Sequence, residues 1–203
     1  MGSKKTKGWK HLLLIFVGTF LTAALVGIGS ELLVRHSSLL IAGLFLLAVI
    51  GTGIVFDIIG MAATAATEAP HHARAANRVF GAQQAVYLVR NADVVANFSN
   101  DIVGDVAGTL SGVTAATIVV DLLRYYPTLA AYEIWLSTGM LALAASLTIT
   151  GKAAGKTFAM QEANEIIAIV GRLMATVEKV TGWTLTKPKK RGGRKNESAR
   201  KNS

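Results

Sequence analysis

The stretch SLLIAGLFLLAVIGTGIVFDIIG, residues 38–60, carries a single ionisable side chain, Asp57. About 20 apolar residues in helical form cross a hydrocarbon core of about 30 Å, and this run is long enough to do so. A second run of comparable length, residues 11–34, precedes it. The chain is 52% hydrophobic and only 16% charged over 203 residues, with a mean hydropathy of +0.46, which is too apolar for a soluble single domain. Membrane barrels show short alternating segments in place of such runs, and a composition rich in Ala, Leu and Gly suits packed membrane helices. The expected fold is therefore all-α, a polytopic membrane protein.

Working outward, Arg35 and His36 leave room only for a tight turn, so residues 11–34 and 38–60 form an antiparallel hairpin. Beyond Asp57 the helical pattern continues through Ala62, Ala63, Ala65 and Ala66 towards Pro70. Residues 71–91 hold Arg74, Arg78 and Arg90 with apolar Val79, Ala82, Ala85, Val86 and Val89 at helical spacing. That pattern describes an amphipathic helix at the membrane surface. A third span is expected over 94–123, then an interfacial turn at Arg124, Tyr125, Tyr126 and Pro127, and a fourth span over 128–150. Ile166, Ile167, Ile169, Val170, Leu173, Met174 and Val177 mark a C-terminal juxtamembrane helix, closed by Trp183. The expected division is a basic segment 1–10, a helical transmembrane domain 11–183, and a disordered basic tail 184–203, too polar to bury a core.

Charge orients the chain. Twelve of the 21 Lys and Arg lie at the two ends, at Lys4, Lys5, Lys7 and Lys10 and from Lys187 to Lys201. Polybasic segments beside membrane spans follow the positive-inside rule and meet anionic lipid headgroups, so lipid rather than nucleic acid is the expected partner. With four spans, Arg74, Arg78 and Arg90 join both ends on one side, and both termini are expected in the cytoplasm of a multi-pass cell-membrane protein. The 11–34 run is longer than a signal-peptide core and lacks a small-residue cleavage site, so it is expected to be retained. Zero cysteines exclude disulfides and thiolate metal sites.

Ionisable groups inside a bilayer cost about 2.5–3.5 kcal/mol each at its centre and mark function by default. Asp101 and Asp105 lie four residues apart, and at 3.6 residues per turn Asn97, Gly104 and Gly108 share their face. A span starting near Val95 would place the two aspartates about 9 and 15 Å deep. Asp57, flanked by Gly53 and Gly60, stands near the same half of the bilayer. Asp57, Asn97, Asn100, Asp101 and Asp105, with Ser99, make an oxygen-rich set of the kind that binds hard cations such as magnesium (Mg2+). The competing expectation is that the carboxylates are neutralised by protons or by Arg90, Lys152 or Lys156, while the glycines pack helices. Other motifs fail on spacing: Gly151, Gly155, Lys156 and Thr157 fall one residue short of a phosphate-binding loop. Adjacent His71 and His72 diverge by about 100 degrees and are expected at the membrane interface. No nucleophile and base pair up, so an enzyme is not expected.

From Gly53 to Gly182 the order of features resembles the transmembrane domain of the cyclin-M and CorC family, proteins linked to magnesium transport. Gly53-Ile-Val-Phe-Asp-Ile-Ile-Gly-Met-Ala-Ala-Thr is similar to the acidic, small-residue end of that family's first span. Leu88-Val-Arg-Asn-Ala-Asp resembles its motif before the second span, Asn97, Asn100, Asp101 and Gly104 fall in its cation-site region, and Gly151-Lys-Ala-Ala-Gly-Lys156 falls where it has Gly-Glu-x-x-Pro-Lys. The resemblance implies binding and transport of magnesium by a homodimer with a cytoplasmic helical hairpin. Two departures stand out: Lys152 occupies the family's Glu position, and the nucleotide-binding CBS domains are replaced by the basic tail. The alternative expectation is a non-transporting membrane scaffold or regulatory subunit, assembling through small-residue helix faces.

Overall fold

The computed structural model describes residues 37–182 without interruption, and scattered positions between Trp9 and Gly29. Every regular element among these is helical, which agrees with the all-α expectation. Helix α1, Leu39–Ala65, starts on Ser38, whose extended backbone lets its Oγ accept from the Ile41 amide at 3.4 Å. It stops where Ala66 turns extended. Two short helices follow, α2 (Glu68–Ala76) and α3 (Ala82–Arg90). Next, α4 (Ala92–Ala96) runs through a π-helical segment, Asn97–Gly104, into α5 (Asp105–Tyr125). A 3-10 turn, Pro127–Tyr132, opens α6 (Glu133–Gln161), and α7 (Ala163–Thr181) ends on Gly182 at φ 72, a left-handed cap that suits glycine.

Three stretches among the described residues are long and apolar enough to cross a membrane: Leu39–Ala65, Ala92–Tyr125 and Pro127–Gln161. They match the expected runs 38–60, 94–123 and 128–150, each extended at one or both ends. The expected first span, 11–34, lies largely outside the described residues, as do the segments 1–10 and 184–203; the described positions within Phe16–Gly29 are helical and apolar.

Residues 71–91 fall in two helices and not in the single one that their spacing suggests. The break has a definite geometry: Arg78 amide to Ala75 carbonyl at 3.0 Å and Val79 amide to Arg74 carbonyl at 3.0 Å close α2 as a Schellman motif. Arg78 takes the left-handed position at φ 56, where glycine is usual.

Helix α1 is the axis of the molecule, packing on α4, the π segment, α5, α6 and α7. Towards its start, Ala42, Leu46 and Ile50 meet Ala115, Ile118 and Ala144, with Val49, Ala107 and Leu110 alongside. Towards its end, Ala62 and Ala63 meet Ala85, Leu88, Ala159, Ala163 and Ile167. This second core joins the bundle to a module formed by α2, α3 and α7. Both cores are rich in alanine because small side chains let helix backbones approach closely.

Candidate functional site

The residues that sequence spacing singles out do not all converge. Asn100 is drawn into the bundle, while Asn97, Asp101 and Asp105 are exposed on the surface of the helix. The π segment is the physical reason: its i→i+5 bonding widens the turn, so a face drawn at 3.6 residues per turn loses phase between Asn97 and Gly104. Gly104 is buried and Asp101 is not, although ordinary helical spacing puts them together. Among the described residues no three His, Asp or Glu side chains gather closely enough to hold a metal ion.

What does converge is a ring of five residues where α1, the π segment and α6 meet. Lys152 of α6 brings its Nζ to 3.8 Å from Asp57 Oδ1, the two side chains being 27% and 18% exposed. That is close enough for charge attraction and too long for a hydrogen bond. The ammonium lies over Gly104, where a Cβ would stand 3.3 Å from Nζ. One π turn earlier, the Asn100 amide presses on Gly60 so closely that a Cβ there would clash with its oxygen. Only glycine at position 60 admits that amide. Asn100 Oδ1 is buried with no hydrogen-bond partner, and Ser99 beside it is buried as well.

The Lys152–Asp57 pair over Gly104 and the orphaned Asn100 oxygen against Gly60 thus follow one another along a single glycine-lined seam, a polar slot between α1, the π segment and α6. Lys152 stands in the sequence both as a departure from the family pattern and as one expected neutraliser of the carboxylates, and the structure brings its ammonium to Asp57. Arg90, another expected neutraliser, serves elsewhere. Its Nε donates to Glu68 at 3.0 Å, and His72 Nε2 is 3.0 Å from the same carboxylate oxygen. Those two partners, Arg90 first, hold the Glu68 carboxyl below its ordinary range.

A search of family models, of curated proteins and of solved structures finds no match to this chain. Its chemistry must be read from its own residues.

The module corrects the reading of the paired histidines. His72 is exposed in the Glu68 network, but His71 is completely buried rather than interfacial. Arg74 donates to Glu165 and Gln84 Nε2 donates to Glu178 at 2.6 Å, which ties α2 and α3 to α7. Arg74 keeps the Glu165 carboxyl low. Burial, and then the charge of Arg74, push the His71 imidazole below its usual value.

Proposed function

We propose that this is a multi-pass membrane protein that binds a cation in the Asp57–Asn100 slot, with Lys152 as the internal competitor that fills it when no ion is bound. Residues 11–34 supply a fourth span, and the basic ends place both termini in the cytoplasm with the module.

Helical rise supports this placement. Arg124, Tyr125 and Tyr126 suit one membrane boundary, and about 20 residues at 1.5 Å cross the core, so the opposite boundary lies near position 104. Counting from Leu39 along α1 reaches the region just beyond Asp57, and from Thr128 along α6 the region just before Lys152. Asp57, Asn100 and Lys152 thus share one level at the module side. Asp101 and Asp105 lie at that edge, where their exposure is to headgroup water and not to lipid tails. An exposed acidic rim concentrates cations at the mouth of the slot.

The orphaned Asn100 oxygen carries the reading. A buried acceptor with no partner, about one turn along the seam from a loosely held ion pair, is costly unless a further partner visits it. The residues suit one positive charge at a time. A magnesium ion next to Lys152 would be repelled, so its entry requires Lys152 to swing outward, and the exposed part of that side chain allows it. Exchange of the tethered ammonium for the ion is the elementary step that transport would use.

A second reading has its own observation. The apolar window of the Pro127–Gln161 span is only 6% buried, and a face so bare suits a second copy of the chain. In a scaffold of this kind the Asp57–Lys152 pair is structural.

Melting of the purified protein across a magnesium titration separates the two. Cation binding predicts that Lys152→Met enlarges the magnesium-dependent stabilisation and that Asp57→Asn abolishes it, since an ion bound only by the folded state stabilises it by mass action. The scaffold predicts no magnesium response in any variant, with both substitutions destabilising and the double variant costing less than their sum.

A further inference from the structure

The structure assigns a second binding site, for a small monovalent anion of chloride size, to the junction of α2, α3 and α7; it stands apart from the cation slot and does not depend on it. A cavity of about 10 Å3 lies there, lined by His71, Arg74 and Arg172 together with Val79, Phe80 and small alanines. That is room for a single occupant of about the size of a water molecule. His71 is 0% exposed, and neither of its ring nitrogens has a hydrogen-bond partner. Arg74 Nη1 is likewise buried without one. The Asn164 side chain lies close enough to act on the ring and favour its protonated form, but its Oδ1 accepts from both the Thr67 amide at 3.0 Å and the Thr67 hydroxyl at 3.4 Å, which leaves it no well-formed hydrogen bond to His71.

The charge balance selects the ligand. Arg74 on α2 supplies the main positive charge acting on His71, His72 adds to it when protonated, and Arg172 of α7 lines the cavity while remaining exposed to solvent. Of the carboxylates on these helices, Glu165 of α7 is taken by the other terminal nitrogen of Arg74, Glu178 of α7 by Gln84, and Glu68 of α2 by His72 and Arg90, while α3 lines the cavity only with alanines. Unpaired N–H groups in an apolar cavity call for an acceptor, and an anion offsets the excess charge where a water molecule cannot. The walls are fixed. A Cβ at Gly171 would lie 2.6 Å from the Gly81 carbonyl oxygen, and one at Gly81 would lie 2.6 Å from Arg172 Cα, so backbone rests on backbone across the cavity's edge. An anion in this place also favours protonation of His71, whose second nitrogen then becomes a donor.

Melting of the full-length protein in detergent tests this, with sodium gluconate replaced stepwise by sodium chloride at constant ionic strength. The melting midpoint should rise saturably with chloride, more at pH 6 than at pH 8. Arg172→Gln should need about tenfold more chloride, the loss expected for one charge-assisted hydrogen bond. Equal melting in the two salts, or an unchanged chloride response in Arg172→Gln, would overturn the assignment. Should that variant not fold, bromide-soaked crystals of the wild type decide: an anomalous peak between His71 and Arg74 supports the site, and a single peak without anomalous signal, an ordered water only, refutes it.

Discussion

The two ends of α1 use glycine and charge in opposite ways. In the spanning bundle Gly151 and Gly155 accept the ends of Ile54 and Ile58, flexible side chains against a helix, and the polar slot is joined by one loose pair at 3.8 Å. In the module Gly81 and Gly171 set backbone against backbone, and charge is placed in the short network of Glu68, His72 and Arg90 and in the bridge from Arg74 to Glu165. The outer surfaces differ in the same sense. On α6, Ile134, Trp135, Leu143 and Ile149 stand exposed, a display that is stable in lipid and a liability in water. The module turns ion pairs outward from α2 and α3, while one face of its α7 exposes Ile169, Leu173, Val177 and Val180, the two-faced surface of an amphipathic helix. What the difference teaches is that the chain concentrates its ion pairs in one part and its bare apolar spans in another, the two joined at the alanine-rich core around Ala62 and Ala63.

The largest expected effect breaks the module and spares the bundle. A Cβ at Gly171 meets the Gly81 carbonyl at 2.6 Å and the Ala85 amide at 2.9 Å, neither of which can rotate away. Gly171→Val should cost about 3 kcal/mol, the upper range for overpacking, and open α3 and α7 to proteolysis. Gly151→Ala meets only the Ile54 side chain, whose outer atoms can move aside, and should cost about 1 kcal/mol. Limited proteolysis of both variants checks the contrast; equal losses would mean that bundle and module unfold as one unit.

The bundle was legible and the module only partly so, for physical reasons. Residues 38–60 could be read because hydrophobic length alone decides a span. The slot was misphased because nothing in Asn97–Gly104 announces a π turn, and that turn exchanges Asn100 for Asp101 on the inward face. His71 and His72 show the limit of periodicity: one residue step separates a fully buried ring from an exposed one, and which is buried depends on where α7 returns. The Arg74–Glu165 and Gln84–Glu178 contacts join residues over 90 positions apart, beyond any local pattern.

Acid should sharpen the same contrast, with a smaller effect. Because burial and Arg74 lower the His71 affinity for protons in the fold, the unfolded chain binds more protons once the pH falls through about 6.5. Stability is therefore full above that value and declines as the pH drops towards the folded pKa. Glu68 and Glu165 are held low, so their contribution persists until the pH falls below about 4.5. Between pH 7 and 5 in chloride-free buffer, hydrogen-exchange protection, corrected for intrinsic rates, should fall in α2 and α3 but not in α5. His71→Gln should flatten that slope. A decline shared equally by α5 would place the sensitive group outside the module.

The smallest effect runs in the favourable direction. Arg78 closes α2 in the left-handed conformation at φ 56, and a side chain with a Cβ costs about 1–2 kcal/mol there. The two amide bonds that close the motif, from Arg78 to Ala75 and from Val79 to Arg74, involve backbone only and survive substitution. Arg78→Gly should therefore stabilise the module by about 1 kcal/mol, less whatever glycine adds to the freedom of the unfolded chain. Nothing in the bundle shares this strain, since the other positive φ angles among the described residues belong to Gly81 and Gly182. The expected result is greater exchange protection at α2 with melting of the spans unchanged. If protection falls instead, the Arg78 guanidinium itself secures the module, and the strain at this corner is the cost of keeping that charge in place.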